Sequence, residues 1–160
     1  MDIDAIRRPF EPAIRRCLHL YWRYARGLTL GVRGLVFDAQ GRVFLVKHSY
    51  VAGWHLPGGG VEPGETLGSA LARELREEGN IELIGPPELF GIYWNRRIAR
   101  RDHVALYVVR SFCQIAPPQP NREIVAHGFF APDAFPDGTT AATRARVAEV
   151  LGGLTAAEIW

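Results

Sequence analysis

Residues 58–81 read GGGVEPGETLGSALARELREEGNI, and the helix that the second half predicts decides how the rest of the chain is understood. From Thr66 to Glu78 the apolar residues recur at helical spacing, with Leu67, Leu71 and Leu75 centring one stripe. Glu74, Glu77 and Glu78 are related by three and four residues, so they share a face. At about 100° per residue, Glu78 projects between Leu67 and Leu71, on the inward stripe. Three neighbouring carboxylates repel one another. A hard divalent cation, which prefers carboxylate and water oxygens, removes that penalty. The competing reading is a solvated acidic face paired with Arg73 and Arg76. The inward position of Glu78 counts against it.

The triple glycine Gly58-Gly59-Gly60 permits close backbone approach and offers carbonyls and amides to a metal or a phosphate. Gly53 to Gly64 holds five of the 17 glycines and two prolines, as a loop with special backbone needs would.

Together these residues resemble a known signature. Gly59, then Glu65, Arg73-Glu74, the aliphatic Leu75 and Glu77-Glu78 stand at the spacing of the Nudix (MutT-like) hydrolases. That signature continues with a glycine where this chain has Asn80, followed by the aliphatic Ile81. Asparagine is the next best residue for a left-handed helix cap, so the departure is tolerable. The lead-in Trp54-His55-Leu56-Pro57 and a later strand into Phe129-Phe130 extend the likeness over roughly residues 28–150.

The resemblance implies hydrolysis of a nucleoside diphosphate linked to another group, with Mg²⁺ or, in its place, Mn²⁺. It implies Glu74, Glu77 and Glu78 as metal ligands, helped by a backbone carbonyl at Gly58 or Gly59. It also implies that Arg73 orients the glutamates with Glu65 as its partner, so that Glu65, Arg73, Glu77 and Glu78 form the catalytic set. The general base is a box glutamate or, as a second candidate, Glu123. The proline some 15 residues past the box that marks many ADP-ribose pyrophosphatases is absent, and Arg96 stands near that place. The substrate therefore stays open. On the substrate side, Arg96 and Arg97 belong to an Arg-rich loop suited to phosphate. Tyr93 and Trp94 are candidates to stack on a base. His103 and His127 are read as structural.

The rest of the chain predicts a helix over residues 11–26, strands over 28–38 and 42–48 joined as a hairpin, and further strands over 88–93, 102–113 and 124–130. A final helix covers 140–151. Strands cluster around a central helix instead of alternating with helices, which predicts an α+β layered fold with a mixed sheet. The resemblance sharpens this to a Nudix-type α/β/α sandwich over residues 28–160, with residues 1–27 as an N-terminal helical extension. In that extension Ile14, Cys17, Leu18, Tyr21 and Tyr24 recur at helical spacing beside Arg15, Arg16, Arg23 and Arg26. A packing or dimer helix is preferred there over one lying on a membrane.

With 160 residues, 48% hydrophobic and 22% charged, the chain suits one folded domain. Its longest apolar run, Val104 to Val109, is far short of the roughly 20 residues that span a bilayer. The acidic start lacks an apolar signal core, and Cys17 and Cys113 show neither metal spacing nor a disulfide framework, so a cytoplasmic setting is expected. The net charge of +2 argues against a strongly basic nucleic-acid binder, an RNA 5′ end remaining open as a substrate. That sum hides segregation: residues 1–61 carry net +5, 62–90 net −5, 91–122 net +5 and 123–160 net −3. The expectation is a small nucleotide-processing enzyme, with a homodimer open. A nucleotide-sensing module without turnover is the alternative.

Overall fold

The computed structural model of the chain describes residues 11–25, 27–119 and 122–160. The elements in order are α1 (Glu11–Ala25), β1 (Thr29–Val36), β2 (Val43–His48), β3 (Trp54–His55), α2 (Leu67–Gly79) and β4 (Glu82–Leu83). There follow β5 (Glu88–Trp94), β6 (Asp102–Val109), β7 (Phe112–Cys113), β8 (Ile124–Phe130) and α3 (Ala141–Leu151). One sheet has the order β1-β6-β5, with β1 parallel and β5 antiparallel to β6. A second, antiparallel sheet has the order β3-β2-β8, and β4 pairs with β7.

Alternation along β1 shows why helices lie on both faces. Val32 and Val36 pack with Phe44, Val46, Ala105 and Tyr107 against Ala70, Leu71 and Leu75 of α2. Leu35 and Phe37 point the other way, joining Val43, Leu45, Leu106 and Val108 against Val147 of α3. Strands buried on both faces read as continuous apolar runs, as Val104 to Val109 of β6 do. Burying each such side chain contributes roughly 1.5–3 kcal/mol. Gly34 makes the helix contact close: a Cβ there would lie 2.9 Å from Leu75 Cδ2. The layered α+β fold is therefore present, and Gly34 of β1 is the seat of α2.

Two expectations change. The tight turn after β1 exists, closed by Asp38, whose carboxylate accepts the Gln40 and Arg42 N–H groups. The strands it joins do not form a hairpin beyond the Phe37–Val43 bridge. β1 instead pairs with β6 on one edge, while its other edge takes the glycine loop: Val32 N–H donates to Gly59 O, Gly34 N–H to Pro57 O, and Val61 N–H to Leu30 O. β2 pairs with β8 and β3. The apolar run 102–113 is also two strands. β6 stops at Val109, the Arg110 guanidinium turns out over the Phe37 ring, and Phe112–Cys113 pair with β4.

Thr66 starts α2 with a capping box. Its Oγ1 accepts the Ser69 N–H while Ser69 Oγ accepts the Thr66 N–H. Asn80 ends it in the left-handed conformation, φ 50°, with its Nδ2 donating to Ala116 O. α1 leaves Leu20, Tyr21 and Trp22 exposed. The parts of the predicted extension that fall on residues 1–10, on Arg26 and on the side chains of Ile14, Arg23 and Tyr24 lie outside the described residues. Among the described residues no helix is long and apolar enough to cross a membrane.

Candidate active site

α2 and the glycine loop meet at one place. Glu74 and Glu78 emerge from the buried side of α2, and Glu77 from its exposed edge. Glu123, just before β8, joins them around an open pocket of about 500 Å³. Glu74, Glu77 and Glu78, expected on one helix face, and Glu123, the second candidate base, thus line one pocket together with Arg73.

Arg73 braces the acids. Its Nε and Nη2 grip Glu65 at 2.9 and 3.0 Å, Nη1 donates to Glu74 at 2.7 Å, and Nη2 also donates to Gly60 O. This fork holds Glu65 down at about pKa 2, its hydrogen bonds to Arg73 being the main cause. Arg76, the other expected partner, turns away to Glu82 at 3.6 Å. Glu78 has a different setting. Its Oε2 accepts the Gly58 N–H at 2.7 Å, and its Oε1 lies 3.5 Å from His48 Nε2. Burial pushes its carboxyl up to about 7, against the pull of the Gly58 N–H and Arg33. Burial likewise raises Glu74, against the pull of Arg73. Two carboxylates held above their ordinary range beside a third and a fourth form a donor set that a hard cation fits.

The loop is shaped to this cluster. A Cβ on Gly59 would collide with the Glu74 carboxylate, and one on Gly58, at φ +137°, would collide with the Val32 carbonyl. Gly59 O accepts the Val32 N–H, so that carbonyl is engaged in the β1 ladder. Arg33 Nη1 donates to both the Leu56 and the Gly58 carbonyls. The loop is therefore held by one guanidinium on each side, Arg33 and Arg73.

Arg33, His48 and Tyr50 are residues that the sequence reading missed. His48 is 7% exposed, touches Glu78 and faces a second pocket of about 350 Å³. Burial lowers its pKa below the ordinary histidine value. Tyr50 donates its hydroxyl to Glu123 Oε1 at 2.9 Å and is pushed up to about 12, by burial first and then by that carboxylate. Within TLGVRGLV, a lone charge in a strand that is otherwise apolar and glycine was the available signal for Arg33. His48 ended a strand with no such contrast.

On the substrate side the structure sorts the candidates. Arg97 lines the 350 Å³ pocket. Arg96 and Trp94 stand outside both pockets, and the Trp94 indole donates to Arg100 O. Tyr93 is fully buried, with its hydroxyl donating to Glu149 Oε2, so it is a core residue and does not stack on a ligand. The alternation of β5 explains the correction: adjacent residues face opposite ways, and Tyr93 faces α3. His127 bonds the Pro118 carbonyl and stacks on Phe44, a structural part as expected.

Comparison with known proteins agrees with this geometry. A diphosphoinositol polyphosphate phosphohydrolase 2 from Rattus norvegicus is 39% identical over 74 residues, 45% of this chain and 40% of that protein. An RNA pyrophosphohydrolase from Erythrobacter litoralis is 42% identical over 60 residues, 37% of this chain and 34% of that protein. The chain thus spans about two fifths or less of these curated relatives. Among solved structures, a MutT NUDIX hydrolase from Burkholderia pseudomallei has a TM-score of 0.65 at 26% identity, covering 76% of this chain and 97% of that one. An ADP-ribose pyrophosphatase from Streptococcus suis has a TM-score of 0.58 at 25% identity, covering 77% and 91%. Residues 27–151 match the NUDIX domain, and with α2, the glycine loop and both sheets inside that span the chain belongs to this family.

Proposed function

We propose that the protein hydrolyses the pyrophosphate bond of a nucleoside diphosphate linked to another group, using Mg²⁺ with Mn²⁺ able to substitute. The observation that carries this reading is the convergence of Glu74, Glu77, Glu78 and Glu123 on one pocket beside a loop braced by Arg73. The names of the relatives, as phosphohydrolases and pyrophosphohydrolases, support the reaction class.

Glu74, Glu77 and Glu78 would hold the cation. When bound, it neutralises pyrophosphate oxygens and acidifies water. The chain's own residues do the rest. Glu65 and Arg73 are positioning residues that fix the Glu74 carboxylate. Gly59 contributes the space that this carboxylate occupies. Glu123, which lines the same pocket and accepts the Tyr50 hydroxyl, would accept a proton from the attacking water. Arg97 meets the phosphates from the neighbouring pocket. The setting is cytoplasmic. Pairing of two copies through α1 is open to sedimentation analysis.

The test is a hydrolysis screen with Mg²⁺ and Mn²⁺ over nucleoside triphosphates, nucleotide sugars, ADP-ribose, dinucleoside polyphosphates and capped RNA. Turnover of at least one class is expected, with label from heavy-oxygen water entering a phosphate product. The Glu77→Gln protein should fold normally and lose nearly all of that turnover. Wild-type rates in that variant would remove the metal-site assignment.

A further inference from the structure

One face of β2 carries a polar residue where its apolar run ends. Phe44 and Val46 pack into the core layer against α2. His48 is the next residue on that face, since alternate residues of a strand point the same way. It is only 7% exposed. Its Nδ1 has no hydrogen-bond partner among the described residues, and its Nε2 stands 3.5 Å from Glu78 Oε1. That separation is beyond the usual hydrogen-bond range. A buried imidazole in this state calls for a ligand, because buried polar groups are otherwise paired.

The segment entering β8 brings a third group. Lys47 pairs with Ala126 but His48 with Ile124, so Val125 is the extra residue of a bulge. Bulges re-aim side chains and gather beside functional sites. Ser49 fastens the same place, its N–H donating to Glu123 O at 2.8 Å and its Oγ to Arg122 O at 2.7 Å. Glu123 is thereby held next to His48, and its Oε1 accepts the Tyr50 hydroxyl. One ligand atom each from His48, Glu78 and Glu123 all lie within 4.8 Å of one another. Two ligands about 2.1 Å from a shared cation stand at most about 4.2 Å apart. The pair from His48 and Glu78 already meets that limit, and small side-chain rotations bring in Glu123. Arg33 is the positive charge on this side, and its Nη1 is committed to the Leu56 and Gly58 carbonyls. Glu74 and Glu77 add negative charge around the same pocket.

We propose that His48, Glu78 and Glu123 form a mixed nitrogen–oxygen site for a first-row transition-metal ion. It shares Glu78 with the all-oxygen set of Glu74, Glu77 and Glu78 but is distinct from it. Mg²⁺ takes oxygen ligands and keeps several of its waters, whereas imidazole suits ions such as Zn²⁺. His48 is therefore the residue that makes this centre discriminate between cations. Tyr50 is a positioning residue, holding Glu123 as outer hydrogen bonds hold metal ligands elsewhere. While the site is filled Glu123 is a ligand, and proton acceptance falls to a box glutamate. The proposal does not rest on the pyrophosphohydrolase reading, because ion binding is measured without turnover.

The experiment adds Zn²⁺ or Mg²⁺ to the metal-free full chain and records long-range proton–nitrogen NMR spectra of the histidine rings. Zn²⁺ should move one ring nitrogen of His48 into the metal-bound range and leave the other histidines in place. Mg²⁺ should not move it. Calorimetric titration should give Zn²⁺ an affinity at least about tenfold above that of Mg²⁺, and His48→Gln should remove that advantage while leaving Mg²⁺ binding unchanged. Because His48 is buried, Tyr50→Phe serves as a second variant. Tyr50 is 67% exposed, so the loss of its hydroxyl leaves folding intact and should weaken Zn²⁺ binding about tenfold. A His48 ring that does not respond to saturating Zn²⁺, or responds equally to Mg²⁺, overturns the site. So does Zn²⁺ bound at another histidine instead, or wild-type Zn²⁺ affinity in either variant. A His48 response in a protein that turns over no pyrophosphate substrate supports the site and sinks the pyrophosphohydrolase reading. Mg²⁺-dependent turnover with no His48 response does the reverse.

Discussion

Replacing Glu78 by Gln should stabilise the cation-free protein at pH 8 and remove its response to divalent cations. Burial raises this carboxyl from 4.5 to about 7, and neither the Gly58 N–H nor Arg33 offsets the loss of water. A shift of that size corresponds to about 3 kcal/mol between the two protonation states. The folded state favours the proton, so the stabilisation is complete below pH 4.5 and disappears as the pH rises through 7. Glutamine keeps an acceptor for the Gly58 N–H and carries no charge. The Glu78→Gln protein should therefore exceed the wild type by up to about 3 kcal/mol at pH 8, which is about 6–12 °C in Tm for a domain of this size. The gap should close toward pH 5. Circular-dichroism melts in chelator from pH 5 to 8, repeated with Mg²⁺ or Mn²⁺, measure it. Wild type should gain more from the cation at pH 8 than at pH 6, because a cation then replaces the missing proton. A Glu78→Gln protein that melts below the wild type at pH 8, or a gap that does not change with pH, would refute the burial argument.

Gly34→Ala should cost about 1–3 kcal/mol in urea unfolding with an unchanged m-value, since its methyl lies 2.9 Å from Leu75 Cδ2 in a packed layer. Gly59→Ala should keep its circular-dichroism spectrum and Tm but bind Mn²⁺ at least about tenfold more weakly by titration, because the methyl displaces the Glu74 carboxylate. Arg73→Lys should lower kcat about 10–100-fold and raise the Mg²⁺ concentration for half-maximal rate, since an ammonium cannot hold Glu65, Glu74 and Gly60 O together. Asn80→Ala should lose about 1 kcal/mol in the same urea assay, and Asn80→Gly less, because the cap needs φ 50°.

The acidic centre was legible because a helix converts spacing into position. Once α2 is a helix, Glu74, Glu77, Glu78 and the leucine stripe are fixed relative to one another, and so is the inward direction of Glu78. The departure at Asn80 was legible for the same reason, as a cap. Strand partners were not. Nothing in TLGVRGLV and VFLVKH says that the first pairs with β6 while its free edge takes the glycine loop, because pairing depends on residues some 70 positions apart. Tyr93 and Trp94 illustrate the same limit at one residue. Both are aromatic, and only the register of β5 decides which one enters the core. The tail was invisible to periodicity, since Glu158 to Trp160 pair with Trp94 as an isolated bridge with no repeat of their own.

The charge pattern also acquires a different meaning. The basic blocks flanking the acidic one reach the 350 Å³ pocket through single residues, Arg33 and Arg97. Of the arginines in residues 91–122, Arg97 is the one that lines the 350 Å³ pocket, and the guanidinium that pulls on Glu78 is Arg33 of β1. Arg33 and Arg73 act first on the backbone: between them they occupy the carbonyls of Leu56, Gly58 and Gly60, while Glu78 takes the Gly58 N–H. A glycine loop carries polar groups that no regular ladder satisfies and a backbone that loses much entropy on ordering. Two guanidinium groups and one carboxylate settle its shape before any ligand arrives. The same carboxylate is the group whose burial opposes ionisation, so loop geometry and readiness for a cation are joined in Glu78. Breaking the Arg33 hold should therefore disturb cation binding even though Arg33 would touch no cation, which is how a preorganised centre differs from a cluster of surface acids.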